Sequence, residues 1–345
     1  MIQTILSAWG FKEEDTNVEA FGKGLINNTW KLTAGDKVYI LQRINDAVFK
    51  QPQDIADNIK LVKEYLDQHH PGYNFVAPIA SLNGDEMVFI KSEGFFRLFP
   101  FVTGSHTKEV VETHGQAYEA AVQFGRFTRL LSGIDLNKFK ITIPSFHDLT
   151  FRYREFLISL GNGNKERIGQ STDLIETIIN HETILTVYEQ VKTDPAFHLR
   201  VTHHDTKISN ILFDKNDKGL CVIDLDTVMP GYFISDVGDM MRTYLSPVSE
   251  EEKDFSKIEV RDDFYKAIVR GYLYEMKDEL SETEKSSFFY AGQFMIYMQG
   301  VRFLTDYLND DIYYGEKYPG HNLVRAKNQL TLLDRLLEKE SLLKV

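Results

Sequence analysis

Residues 201–242 read VTHHDTKISNILFDKNDKGLCVIDLDTVMPGYFISDVGDMMR. In this stretch Asp205 is followed, after four residues, by Asn210, and Asp224 closes a short apolar run. The residues between them have the pattern of a hairpin. Ile211 to Phe213 form one strand, Asp214 to Gly219 a polar turn, and Leu220 to Ile223 the return strand. If Phe213 lies opposite Leu220, antiparallel pairing sets Asn210 opposite Ile223, next to Asp224. Three oxygen-bearing side chains then gather at one end of the hairpin, an arrangement that suits a hard cation. Either aspartate alone reads as a turn cap. All three at this spacing, with apolar strands between them, read as a site.

The rest of the chain limits what that site belongs to. With 345 residues, 43% of them apolar and 12% aromatic, the chain supports about two domains or two lobes around a normal core. A formal net charge of -12 argues against a nucleic-acid partner, which needs a basic footprint. The single cysteine, Cys221, excludes an intramolecular disulfide and any CxxC metal motif. Placed in the return strand, it is expected to serve buried packing in a reduced compartment. No run approaches the roughly 18 apolar residues of a membrane span, and the N-terminus lacks a basic lead and cleavage site. A cytoplasmic monomer without membrane association is expected.

Around the hairpin, the first hundred residues have strand character and the remainder helical character. Asn17–Gly22, Thr29–Thr33 and Val38–Ile44 read as strands, with Ala34-Gly35-Asp36 as a hairpin turn. A helix from Pro52 to about Gln68 carries Ile55, Ile59, Val62 and Leu66 on one face. Strands near Met87–Ile90 and Phe95–Phe99 follow. Beyond Ser105 the periodicity predicts helices over Thr107–Leu131, Asp148–Leu160, Asp173–Val191, Glu250–Met276, Glu282–Leu308 and Asn322–Leu343. Gly161–Gln170 reads as a polar surface loop. The boundary falls within Phe101–Ser105, giving a lobe of residues 1–104 and a second of 105–345.

Two chemistries compete for this pattern. There is no GxxxxGK[ST] phosphate loop. A Gly-containing turn between two strands is another way to cover phosphates, and Gly22-Lys23-Gly24 occupies that place, so Gly22 and Gly24 are candidate nucleotide contacts. Protein kinases space a catalytic Asp, a metal-binding Asn and a second metal-binding Asp as Asp205, Asn210 and Asp224 are spaced here. Mg²⁺ keeps waters and substrate phosphates in its octahedron, so Asn210 and Asp224 suffice as protein ligands. Asp205 is then free to accept the proton of an attacking hydroxyl. The competitor is a metal-dependent phosphohydrolase, in which His204-Asp205 would join His114 and His147 as ligands. Against it, the pair precedes a strand and not a helix.

On these residues the chain resembles the aminoglycoside phosphotransferase superfamily. HHDTKISN is similar to its His-x-Asp catalytic loop, VIDLD to its metal-binding strand end, and YFISDVGDMMR to its downstream Asp-rich segment. Over a wider span, GLINNTWKL, YILQRINDAVF, FRLFPFVTGS, DLDTVMPG, VRFLTDYLNDDIYY and HNLVRAKNQ resemble N-acetylhexosamine 1-kinases. The resemblance implies a two-lobed, protein-kinase-like α+β fold, with a β-rich N-lobe and a mainly helical C-lobe. It implies ATP as co-substrate, Mg²⁺, and a small-molecule sugar acceptor. By resemblance, Asp205 is the base, Asn210 and Asp224 hold the metal, and His203 and Asp236 support the catalytic loop. Phe99 to Val102 form the hinge, with Phe99 and Phe101 beside adenine. Asp226 is a candidate second metal contact or acceptor contact, and Arg302 and Tyr313 are candidate acceptor contacts. The third strand departs from the family pattern. Where a Lys or Arg normally reaches the phosphates, YILQRI offers Gln42 and Arg43. Counting from the leucine favours Gln42, and charge favours Arg43, which is carried as the candidate phosphate contact. Asn58 or Glu64 is its candidate helix partner. A choline-like or aminoglycoside acceptor would keep every catalytic residue, and Tyr313, Tyr314 and Tyr318 offer a cage for a cationic one.

Overall fold

The computed structural model describes residues 2–22 and 27–344. Five antiparallel strands, β1 (Thr16–Ala20), β2 (Asn28–Ala34), β3 (Lys37–Arg43), β4 (Val88–Ile90) and β5 (Gly94–Pro100), form an N-terminal sheet in the order β1-β2-β3-β5-β4. Ala34 pairs with Lys37, so the turn between β2 and β3 has two central residues. Gly35 takes φ +61° at the first of them, a conformation that costs glycine nothing. Side chains alternate across β3 and β5. On one face Leu41, Phe96 and Leu98 pack with Ile5 and Trp9 around the short helix α1 (Ile2–Ser7). Ile40 pairs with Phe99, and Gln42 with Arg97, on the opposite face, which is turned toward the rest of the molecule.

The helix α2 (Pro52–His69) presents Ile55, Ile59, Val62 and Leu66 as the sequence period requires, and these join the main core, not the sheet's own apolar cluster. That core is helical. It contains α3 (His114–Leu130), α4 (Leu149–Asn162), α5 (Lys165–Gln170), α6 (Thr172–Asn180), α7 (Thr183–Thr193), α8 (Phe233–Tyr244), α9 (Asp262–Met276), α10 (Glu282–Ser286), α11 (Phe288–Leu308), α12 (His321–Leu337) and α13 (Glu340–Leu343). Helix α11 is apolar around most of its circumference because it is buried against α8, α12 and α4 at once. Among the described residues no helix is long and apolar enough to cross a membrane.

Two small antiparallel ribbons sit between the sheet and the helices: β6 (Arg200–Thr202) with β9 (Met229–Gly231), and β7 (Ile211–Phe213) with β8 (Gly219–Val222). The second ribbon is the hairpin read from the sequence. Its register holds at the site end, where Ile223 N–H donates to the Asn210 carbonyl at 2.9 Å. It slips by one residue at the turn end, where Phe213 pairs with Gly219 and not with Leu220. A bulge between Leu212 and Phe213 absorbs the difference.

Several helix limits also differ from expectation. The expected loop 161–170 contains α5, whose first N–H groups, those of Glu166 and Arg167, are capped by the Asn164 side chain. The expected helix 173–191 is broken after Asn180 into α6 and α7. Helix α3 starts only at His114, set by a Thr113–Gln116 capping box. Residues 250–261 are not in α9, because Glu250 is drawn to Arg242 and Arg325.

Candidate active site

The loop from His203 to Asn210 leaves β6 with backbone donors that no strand satisfies, and α8 supplies the acceptors. Asp236 Oδ2 accepts from His203 N at 3.0 Å, and its Oδ1 accepts from His204 N at 2.8 Å. One turn further, Asp239 Oδ2 accepts from Thr206 N at 2.8 Å. Both carboxylates are buried, and burial pushes the Asp236 carboxyl up to about 7 against the lowering effect of its two backbone donors. His204 sits at φ +64°, a strained conformation for a non-glycine residue. A Cβ at Gly231 would collide with its ring and with Thr202 Oγ1. His203 lies edge-on to Phe124. Its Nε2 donates to the Ile223 carbonyl at 2.9 Å, and burial lowers its pKa and keeps it neutral. The loop is thereby tied to the end of the hairpin.

The expected oxygen donors meet there. Asn210 Nδ2 donates to the Asp205 carbonyl at 2.8 Å, which leaves its Oδ1 as the atom available to a cation. Asp205 faces Lys207, with Nζ and Oδ1 3.0 Å apart. Burial would raise the Asp205 carboxyl, but the Lys207 ammonium and its hydrogen bond outweigh that and hold it below its ordinary value. Asp224 follows β8 at φ +62°. Asp224 is solvent-exposed, yet the protein mass around it and the carboxylates of Asp226 and Asp205 push its pKa up to about 7. Three carboxylates crowded together favour a divalent cation, and an amide oxygen plus a carboxylate are hard donors of the right kind. The residues therefore fit an oxygen-bound metal. Among the described residues no group of three His, Cys, Asp or Glu side chains forms a metal site. His147 lies 5.3 Å from the His204 ring, and His114 stands exposed at the start of α3. The ligand set required by a phosphohydrolase is not assembled.

From the sheet side, one residue that sequence reasoning missed reaches this cluster. Arg97 on β5, 1% exposed, has Nη1 2.5 Å from Asp226 Oδ1. Its Nε and Nη2 both donate to Gln42 Oε1, at 3.0 and 2.9 Å. Asn27 Nδ2 donates to the other Asp226 oxygen at 2.7 Å. Arg43 is not brought to the aspartates. It belongs to the Leu41 face of β3, exposed, with its guanidinium beside Gly94. The expected helix partners also lie elsewhere. Asn58 is spent on the backbone of Lys140 and Val228, and Glu64 is exposed. Gly22 adopts φ +76°, while Lys23 and Gly24 lie outside the described residues. Phe99 packs over the hairpin with Val76, Leu212 and Cys221. Phe101 meets Phe21 edge-on at 6.3 Å. Cys221 is fully buried, and burial pushes its thiol up to about 12.

On the helical side, a pocket of about 100 Å³ is lined by Arg152, Glu155, Arg302, Thr305, Asp306, Asn309, Tyr313 and Tyr314. Arg302, 8% exposed, donates to Gln299 Oε1 at 3.1 Å. Among the described residues no carboxylate lies within ion-pair distance of it. Its guanidinium stands 5.4 Å from the Phe146 ring and 5.9 and 5.5 Å from Tyr313 and Tyr314. Phe146 stacks on His147 at 4.4 Å and borders His204, so Arg302 is linked through this ring to the loop that begins at His203. Asp306 is not a free anion for this pocket, since it accepts from the backbone of Tyr313 and Tyr314 and from Asn322. Glu155 is paired with Arg152 at 2.8 Å.

Residues 17–282 match the phosphotransferase enzyme family. Among solved structures, a microcompartment-associated aminopropanol kinase superposes with a TM-score of 0.66 at 15% identity, covering 99% of this chain and 98% of that one. An amicoumacin kinase in complex with AMP-PNP and Ca²⁺ gives a TM-score of 0.63 at 14% identity, covering 97% and 92%. A choline kinase from Cryptosporidium parvum gives 0.59 at 15%, covering 99% and 97%. At these identities the likeness is one of fold, and the fold is the kinase-like α+β arrangement that the family resemblance implied.

Proposed function

We propose that this chain, which belongs to the phosphotransferase enzyme family and is a small-molecule kinase, transfers the γ-phosphoryl group of ATP to a sugar hydroxyl, specifically the anomeric hydroxyl of an N-acetylhexosamine. Residues 1–104 act as the lobe that covers the nucleotide, and residues 105–345 carry the catalytic loop and the acceptor pocket. The adenine lies along the Phe99–Val102 segment, against Val76, Leu212 and Cys221, an apolar surface of suitable character. Asn210 and Asp224 would hold Mg²⁺, which when bound would neutralise charge on the nucleotide phosphates. Asp205 accepts the acceptor's hydroxyl proton on its carboxylate. Lys207 keeps that carboxylate ionised at neutral pH, and Asp236 and Asp239 fix the loop that aims it. Most of the rate gain is expected from positioning, with general-base help worth about 10²–10⁴-fold.

The observation that carries the acceptor assignment is the buried Arg302. A guanidinium sunk in a pocket wall without a carboxylate asks for an oxygen acceptor from the ligand. The acetamido carbonyl and hydroxyls of an N-acetylhexosamine provide that, whereas a quaternary amine or aminoglycoside brings a second positive charge. The tyrosines read as a possible cation cage already face cations of the protein. Tyr313 and Tyr314 face Arg302, and Lys253 Nζ lies 3.7 Å from the centre of Tyr318. The test is ADP release with ATP and N-acetylglucosamine, N-acetylgalactosamine, choline, ethanolamine or an aminoglycoside. Turnover with the N-acetylhexosamines above the rest is expected. Turnover confined to the cationic alcohols would overturn the acceptor assignment while leaving the kinase.

A further inference from the structure

We propose that Arg97 on β5 is the cation that contacts the nucleotide phosphates in this enzyme, and that Gln42 on β3 is the positioning residue that aims it. This rests on the kinase reading above. The positions of β3 on this face are Val38, Ile40 and Gln42, all uncharged, and the basic residues of that strand, Lys37 and Arg43, are on the other face. The cation has moved one strand over. Arg97 is the cross-strand partner of Gln42, so its buried guanidinium lies where a side chain from position 42 would end. Lys31 shares this face, through its pairing with Ile40, but its ammonium lies 5.7 Å from the Phe101 ring, at the hinge end. Arg97 is the one of the two that meets the Asp224–Asp226 turn.

Chemistry at position 42 supports the assignment. Gln42 Nε2 donates to Thr29 Oγ1 at 3.2 Å, which fixes the amide so that Oε1 faces Arg97. A neutral amide oxygen holds two guanidinium N–H groups without cancelling their charge, as a glutamate would. The remaining polar contact, Nη1 to Asp226, is close, but neither atom has an aligned hydrogen bond. It is a pairing by charge alone. A buried guanidinium–carboxylate pair gains little net stability over an apolar pair of the same shape, so stability is a poor reason to bury Arg97 at the cleft. Asp226 lies two residues beyond Asp224, the residue proposed to hold the metal, so Arg97 stands beside the place where the nucleotide phosphates would lie.

The test is the phosphate dependence of nucleotide affinity, measured by calorimetry on the full chain with adenosine, ADP and AMP-PNP in Mg²⁺. Arg97→Met should weaken AMP-PNP about 10- to 100-fold, the loss of a hydrogen bond between charged groups, and leave adenosine within about 2-fold. Arg97→Lys, which keeps the charge and is less disruptive to folding, should fall between. Gln42→Met should give the same phosphate-selective pattern at smaller size and raise the KM for ATP without raising that for the acceptor. Moving the cation back to β3 in Gln42→Lys/Arg97→Gln should recover part of the AMP-PNP affinity. Equal weakening of adenosine and AMP-PNP by both Arg97 variants would reduce Arg97 to a structural ion pair, and unchanged AMP-PNP affinity would remove it from the site. If the wild-type chain binds no AMP-PNP and releases no ADP, the kinase reading itself fails. A wild type that binds, with variants that bind equally, sinks only the role of Arg97.

Discussion

Asp236→Asn isolates the support of the catalytic loop from the chemistry it serves. The side chain keeps its shape, but only one of its two terminal atoms still accepts a hydrogen bond. Today the two oxygens take the N–H groups of His203 and His204 at 3.0 and 2.8 Å. In the variant one of these buried donors meets an amide NH₂ and goes unsatisfied, which costs about 1–3 kcal/mol. For a cooperative unit of the size of the helical part, that corresponds to a fall in Tm of about 2–10 °C. The effect on turnover is expected to be larger than stability alone implies. His204 is held at φ +64° immediately before Asp205, and release of its N–H lets the strained loop relax. A displacement of about 1 Å at the reacting group costs on the order of 100-fold. The assay pairs kcat and both KM values with thermal unfolding, and with hydrogen exchange of the peptide spanning residues 203–206. Expected are a kcat lowered by at least about 10-fold, faster exchange in that peptide, and a nearly unchanged KM for ATP. A kcat within about 2-fold of wild type, together with unaltered exchange, would refute the bracing role assigned to Asp236.

Other consequences are measurable in the same preparations. Arg302→Ala should raise the acceptor KM more than the ATP KM, because its guanidinium lines the pocket and not the nucleotide cleft; equal changes would assign it to packing. The Glu250 carboxyl, which burial would raise, is instead held down at about 2 by Arg242 and Arg325. A depressed carboxylate stabilises above its unfolded value and loses that contribution as pH falls through the folded one. The stability advantage of wild type over Glu250→Gln should therefore be about 3 kcal/mol near neutrality and shrink between pH 4.5 and about 2. A gap independent of pH would contradict the pairing.

What the sequence made legible follows from the range of the forces involved. The hairpin could be read because strand alternation and a polar turn are local, and they set Asn210 opposite Ile223 correctly. The bulge after Leu212 was hidden, since nothing in ILFD marks where one residue is unpaired. Arg97 was out of reach for a different reason. Its importance depends on β5 lying next to β3, with Arg97 in register with Gln42, a pairing across 55 positions in sequence. A signal existed nonetheless, because an arginine within the apolar run FFRLF must find a buried partner. Asp239 was quoted within the Asp-rich segment but given no role, since only the fold shows it meeting Thr206. The cap of α5 was readable in Asn164 followed by Lys-Glu-Arg, and was outweighed by the polarity of its surroundings. The break between α6 and α7 carries no glycine or proline and was not readable. Arg302 and Tyr313 came from family resemblance. The nearness of Arg302 to Tyr313 and to Phe146 emerges only in the folded chain.

The central claim is that Asp205, Asn210 and Asp224 form a phosphoryl-transfer site in which Asp205 acts on the acceptor and not on the nucleotide. The most direct measurement is on Asp205→Asn, with AMP-PNP affinity in Mg²⁺ and ATP turnover with the preferred acceptor followed side by side. The account predicts affinity within about 3-fold of wild type and turnover reduced by about 10²–10⁴-fold or more. Turnover equal to that of the wild type would contradict it.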